Sequence, residues 1–321
     1  MMPEISEVTA ALPRLVVVGG ANLDILGRAS TRLATADSTP GEVTFSPGGV
    51  ARNIAENLAR LGQNVALISA VGDDDFGQRL LRNTQSCGVD VTGVHVLPGQ
   101  TTATYISLHG TEGSLAAAVN DMRVLAQLTP DVLQRHADTL ARADGLLLDC
   151  NLAAESLAWL LDAAQQSTVF VDAVSASKCT RLRPFLGRIH TLKLNRLEAE
   201  ALTGHPVQTP EDAFAAMVEL QAAGVNNVVI GLSHQGVCWR DENKSFGHLT
   251  PRLVGSDELV NTNGAGDALM AGLVYGWGQG MTLDKATDFA AACAELTLLS
   301  PWANTPELSV AAVVQRLKLG V

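Results

Sequence analysis

The chain has 321 residues, 47% of them hydrophobic and 17% charged, which supplies a sizeable core and excludes extensive disorder. Its formal net charge of -11 comes with no cluster of Lys and Arg, which argues against a nucleic-acid surface. Five cysteines, Cys87, Cys150, Cys179, Cys238 and Cys293, are odd in number and include no CxxC pair, so buried thiols of a reducing compartment are expected.

The opening MMPEISEVTAALPR carries Glu4 and Glu7 and has no basic start before an apolar stretch. It does not resemble a secretory signal, and residues 1–13 read as a flexible N-terminus. No apolar run reaches the length of a membrane span, because Asp149 and Glu155 interrupt the best candidate, so a cytoplasmic location follows by default. RLVVVGG (14–20) predicts a buried strand, and EVTFS, within 26–46, alternates as a strand with one wetted face does. After Pro47-Gly48-Gly49, the segment VARNIAENLARLG sets Val50, Ile54, Leu58 and Leu61 at helical spacing and ends at Gly62, a suitable C-cap. NVALISAVG predicts another strand, and TATYISLHG, within 101–119, alternates again. Short apolar runs then recur in GLLLDC (145–150), TVFVDAV (168–174), RIHTLKLN (188–195) and NNVVIGL (226–232), each followed by a helix or turn. The rhythm is that of βαβ units around a mostly parallel sheet, in one unit over 14–321. The insertions at 26–46 and 101–119 predict a small antiparallel lid that excludes water from a site at the sheet's edge.

The most informative segment is NTNGAGDALMAGLVYG, from Asn261 to Gly276. Gly264, Ala265 and Gly266 let successive N–H groups converge, and DALMAGLVYG continues as a helix whose N-terminal dipole faces the same point, which makes an anion hole. Asp267 stands at the helix start, where it caps the first turn or accepts a proton from an attacking hydroxyl. Standing alone, the pattern fits a glycine turn with an Asp cap equally well.

NTNGAGD followed by ALMAG resembles the C-terminal signature of the ribokinase (PfkB) family of carbohydrate kinases, and SPGGVARNIAENLARLG resembles its N-terminal signature. VVVGGANLD (16–24) and the Asn-x-x-Glu of Asn195 and Glu198 match two further family motifs in the right order, so the likeness spans about 14–306. It implies a three-layer α/β/α sandwich with a small β lid, and transfer of the γ-phosphoryl group of ATP to a hydroxyl. By the same resemblance Asp267 is the base, and Gly264, Ala265 and Gly266 stabilise charge on the moving group. Asn195 and Glu198 organise Mg²⁺ through water, and Ser233 and Gly236 lie in the segment that corresponds to a nucleotide-binding one. Lys193, just before Asn195, is within reach of a phosphate, and a surface lysine explains it equally well. Asn22, Asp24, Gly48, Gly49, Asn53 and Asn151 match positions that contact the acceptor. Outside this family, Asp24 and Asn53 read as turn and cap residues, and Glu198 with Glu200 as a solvated helix face.

Four positions depart from the family pattern. Asn261 replaces the Asp that helps shape a monovalent-cation site, which puts potassium activation in doubt. VVIGLSHQGV keeps only Gly236 of a nucleotide-binding Thr-x-Gly-x-x-Gly segment, with Gly231 and Ser233 in place of Thr and the first Gly, and Leu194 replaces a common Pro. Within the family, ANLDI, AVNDM, VFVDAVSASKC and IHTLKLNRLEAE look more like members that phosphorylate pseudouridine than like ribokinases, fructokinases or adenosine kinases, so a small nucleoside is the implied partner. Thr104, Ser107, Asn120 and Asp121, on or beside the lid, are nominated to read its base, although alternating strand polarity explains them as well. Another nucleoside or a ribose-like sugar remains an alternative acceptor. A non-catalytic nucleoside sensor on the same scaffold is the alternative from another class. An antiparallel lid with an exposed apolar face predicts a homodimer.

Overall fold

The computed structural model describes residues 12–34, 36–112, 114–251 and 260–318, so most of the expected flexible N-terminus lies outside the described residues. Along them run β1 (Arg14–Val18), β2 (Asn22–Ala29), β3 (Gly41–Gly48), β4 (Asn64–Gly72), β5 (Asp90–Leu97), β6 (Thr104–His109) and β7 (Leu115–Asp121). They are followed by β8 (Gly145–Asp149), β9 (Thr168–Asp172), β10 (Thr191–Asn195), β11 (Asn227–Gly231), β12 (Val237–Arg240) and β13 (Phe246–Leu249).

Nine of these form one sheet in the order β13-β12-β11-β10-β9-β8-β1-β4-β5. Pairing from β11 to β5 is parallel, and β12 and β13 add an antiparallel edge. The central strands are buried on both faces, which is why they read as unbroken apolar runs rather than alternating ones. Val16 and Val18 of β1 pack into one core with Leu146, Leu148, Val171 and Leu194, beneath helices that supply Leu157, Leu160 and Met217. Leu15 and Val17 point the other way, to Leu147 and Phe170 and to Ile54, Leu58, Met270 and Val274 of the helices Val50–Arg60 and Ala265–Gly278. Two cores on opposite faces of one sheet make the three-layer sandwich. Cys150, Cys179, Cys238 and Cys293 are buried, and Cys87 is partly exposed. Among the described residues no helix is long and apolar enough to cross a membrane.

The remaining four strands form a separate sheet in the order β3-β2-β6-β7. The hairpins β2–β3 and β6–β7 are antiparallel, while β2 and β6 run parallel. That direction follows from the main sheet: β2 follows β1 and β6 follows β5, so both leave the same rim. The lid strands cover 22–48 and 104–121 where the sequence pattern marks 26–46 and 101–119. The root of β2 escapes the pattern because Asn22 and Leu23 are both buried there, 4% and 1% exposed, and do not alternate.

Phe170 is among the largest fully buried side chains and meets Trp277 and His190 edge-on, with ring centroids 5.2 and 5.6 Å apart. Phe170→Ala should lower unfolding stability by about 3–5 kcal/mol. Urea unfolding checks this, and a loss below about 1 kcal/mol would mean that the core does not depend on this ring.

Candidate active site

At one rim of the parallel sheet β8 ends on Asp149, β9 on Asp172, β10 on Asn195 and β11 on Gly231. Open α/β sheets bind ligands at the carboxyl ends of their strands. Strand register sets Asp149 beside Asp172, and Asp172 beside Lys193.

Asp149 is 0% exposed. Its Oδ2 accepts from Gly20 N at 2.8 Å and Ala51 N at 3.0 Å, and its Oδ1 from Asn151 N at 2.8 Å. One carboxylate thus joins the turn after β1, the start of the 50–60 helix and the turn after β8. Burial pushes its carboxyl up from the ordinary range, and these donors oppose the shift. Gly49 precedes the helix at φ +99, and a Cβ there would meet Gly20 O at 2.5 Å, so only glycine lets the helix start against the β1 turn.

Lys193 Nζ lies 2.7 Å from Asp172 Oδ2. Burial disfavours the ammonium, yet Asp172, Glu198 and Asp267 outweigh it and hold the pKa up at about 12. A Cβ on Gly266 would stand 3.0 Å from Nζ, so the ammonium sits directly under the glycine turn. That turn opens at Gly264 in the left-handed region, φ +81, and a Cβ there would land 2.0 Å from Ala303 O. No side chain of Gly264 is available to cap the 265–278 helix, and Gly264, Ala265 and Gly266 are only partly buried. Its leading N–H groups are therefore placed to meet an anion.

Asp267 is 8% exposed, and its Oδ2 accepts from Asn53 Nδ2 at 2.8 Å. Burial, then the negative charge of Asp172, raises its pKa to about 7, against the opposing influence of Lys193 and Asn53. This is the range that suits a general base near neutral pH. Asn53 belongs to the first signature and Asp267 to the last, so the hydrogen bond joins motifs 214 residues apart.

At the start of β2, Asn22 Nδ2 donates to Asp24 Oδ1 at 2.6 Å. The carboxylate lies over Gly48, where a Cβ would meet Asp24 Oδ2 at 2.4 Å. Burial raises the Asp24 pKa to about 6, with Asn22 and the charge of Arg52 opposing. Asn151 accepts from Lys178 Nζ at 2.6 Å and lies against Gly20. The four nominated lid residues divide by strand parity. Tyr105 pairs with Asp24 and Asn120, so Ser107 and Asn120 share the Asp24 face; Thr104 and Asp121, which pair with each other, lie on the opposite one. Thr104 Oγ1 donates to Thr102 O, and Asp121 is held by Arg123 outside the site.

On the other flank, Asn195 and Glu198 form a reciprocal capping box. Glu198 is buried, and its two oxygens accept from Asn195 N and Nδ2, both at 2.7 Å. Ser233 is exposed in the turn after β11, at φ 56. Gly236 closes that turn where a Cβ would meet Leu249 O at 2.0 Å, so hairpin packing alone requires glycine there. Residues 252–259, between β13 and the glycine turn, lie outside the described residues.

Asp149 and Asp172 were not singled out from the sequence, and their signal was a carboxylate closing an apolar strand, in LLLD and VFVD. Asp172 Oδ1 also accepts from Val174 N at 3.0 Å and helps hold Val174 at φ 65. A β-branched residue in that region costs of order 1–3 kcal/mol, and such strain concentrates at functional sites.

The pfkB family carbohydrate kinase model matches residues 12–309. A pseudouridine kinase of Escherichia coli strain K12 is 41% identical over 300 residues, covering 94% of this chain and 95% of that protein. Among solved structures, a carbohydrate kinase from Agrobacterium tumefaciens is 29% identical with a TM-score of 0.84, covering 96% of this chain and 98% of the other. Arabidopsis thaliana ribokinase complexed with ribose and ATP has a TM-score of 0.84 at 21% identity, covering 96% and 99%, a likeness of fold. With this match spanning the sheet, the lid and the glycine turn, the chain belongs to the pfkB family of carbohydrate kinases, phosphotransferases with an alcohol group as acceptor.

Proposed function

We infer that this chain transfers the γ-phosphoryl group of ATP to the 5′-hydroxyl of pseudouridine, giving pseudouridine 5′-phosphate and ADP. One juxtaposition carries the reading of the chemistry: a buried carboxylate, Asp267, beside a glycine turn whose helix-leading amides face outward. The choice of acceptor is supported by the likeness to a pseudouridine kinase at 41% identity over nearly the full chain. Residues 14–318 act as one kinase domain carrying the lid.

Asp24, with Asn22 beside it, accepts hydrogen bonds from the ribose hydroxyls and orients the 5′-oxygen towards Asp267. Asp267 takes the hydroxyl proton as that oxygen bonds to the γ-phosphorus and the bond to the bridging oxygen of ADP breaks. Charge on the phosphoryl oxygens meets the amides at the start of the 265–278 helix, with Lys193 beneath them. We assign Ser107 and Asn120, on the Asp24 face of the lid, to reading the base.

Family members in general use ATP and Mg²⁺. Among the described residues no group of three His, Cys, Asp or Glu side chains is placed to hold a metal, and both Glu198 oxygens are engaged by Asn195. These residues fit Mg²⁺ held by phosphates and water, with Asn195 and Glu198 as outer partners; when bound, the ion neutralises phosphate charge. Asn261 is neutral where the family's carboxylate would draw a cation, and its Oδ1 already accepts from Asn263 N at 3.0 Å.

The outer face of the lid carries Val43, Phe45, Ile106, Leu108 and Val119, between 40% and 69% exposed. Contiguous apolar patches of this kind mark interaction surfaces, and we assign this one to a second copy of the chain.

Side-by-side turnover of pseudouridine, uridine, ribose and fructose tests the acceptor, and equal or better rates on the last three would remove pseudouridine. Asp267→Asn should lower kcat by at least roughly 100-fold while nucleoside binding by calorimetry is kept. Retained turnover would remove the base, and retained binding with no turnover in the parent chain would favour a sensor. Because the base works ionised, kcat/KM should fall as pH drops through about 7, and more steeply below about 6 as Asp24 also protonates. A flat profile across that window would contradict both assignments. Light scattering should give a dimer for the parent chain and a folded monomer for Ile106→Glu/Val119→Lys.

A further inference from the structure

Arg52 is only 3% exposed on the 50–60 helix. Its Nη2 pairs with the buried Glu56, and its Nε donates to Thr84 Oγ1 at 3.2 Å. Its Nη1 donates to Asn53 Oδ1 at 3.0 Å and to Asn304 Oδ1 at 3.1 Å. A guanidinium has only donors. The Asn53 amide must therefore turn its oxygen towards Arg52, which leaves its NH2 facing Asp267 Oδ2 at 2.8 Å. The same logic fixes Asn304, whose Nδ2 donates to Asn53 O and Asn57 Oδ1, both at 2.9 Å. Directly before Asn304, the Ala303 carbonyl lies so close to Gly264 that no Cβ fits between them. A single buried side chain thus touches the residue that faces the carboxylate and the loop that backs the anion hole.

We propose that Arg52 is a positioning residue for phosphoryl transfer: it locks the Asn53 amide with its NH2 towards Asp267 and, through Asn304, holds the loop that supports Gly264. The assignment rests on the reading of Asp267 as the base. Without Arg52 the Asn53 amide is free to present its oxygen to the carboxylate. Asp267 then loses a donor that favours its ionised form and gains a repulsive neighbour, so it ionises at higher pH.

Arg52→Lys keeps a cation beside Glu56 and loses the planar fork that reaches Asn53 and Asn304 together. In the full chain, assayed with pseudouridine and MgATP, kcat of this variant should fall roughly 10- to 100-fold. The acid limb of its kcat profile should move to higher pH, while the KM for ATP stays within about twofold. Asn304→Ala leaves the Arg52–Glu56 pair intact and should also lower kcat, by several-fold, through the loop behind Gly264. Thermal melting reports which variants fold, and a purely structural role would lower the midpoint without moving the acid limb. The proposal is overturned if both variants keep kcat within about twofold of the parent and the acid limb of Arg52→Lys is unmoved. If Arg52→Lys does not fold, Asn304→Ala decides on kcat alone. Asp267→Asn separates the two levels: retained turnover there removes the base and Arg52's role with it. Collapse there, with unaffected Arg52→Lys and Asn304→Ala, removes Arg52 only.

Discussion

Carboxylates taken out of water need donors or a cation close by, and at the carboxyl rim of this sheet the only buried lysine beside them is Lys193 among the described residues. Asp172 holds it at 2.7 Å, and Glu198 and Asp267 both favour its charged form. Removing one partner of such a buried pair costs about 3–5 kcal/mol, which makes the rim one electrostatic unit. The ammonium lies under Gly266, so the same charge that allows Asp172 and Glu198 to be buried stands directly beneath the glycine turn. Asp267 is left between two influences, burial pushing its pKa up and Lys193 and Asn53 pulling it down, and the balance near 7 suits proton transfer.

Asp149, also buried at this rim, is satisfied by backbone donors in place of a cation. By accepting from Gly20, Ala51 and Asn151 it draws the β1 turn and the 50–60 helix together at the point where the lid departs. Asn22, Asp24 and Gly48 stand at the root of the lid, where β2 leaves the rim and β3 returns to it. Asp24 and Asn120 both pair with Tyr105, so the groups assigned to the ribose and to the base share one face of the same lid sheet.

Much of the frame was legible in the chain. NVALISAVG matches β4 end to end, and VARNIAENLAR matches the 50–60 helix, because an unbroken apolar run and a 3.6-residue period are local signals. β12 and β13 were not separated as strands, since four-residue edge strands carry too few positions for a pattern. Thr104 and Asp121 could not be told from Ser107 and Asn120 in sequence. Which face a strand residue occupies is set by its pairing register, and here that depends on chain some 80 residues away in β2.

The sequence by itself determined the βαβ rhythm, the glycine turn before Asp267 and the first signature, because dihedral freedom, helical period and spacing are properties of neighbouring residues. Tertiary structure alone decided which partner each buried group found: Asn53 for Asp267, Asp172 for Lys193, and Arg52 with Asn304 behind them. These contacts join segments from 21 to 252 residues apart, and the pKa values they set depend on burial, which exists only once the sheet and its helices have closed over the rim.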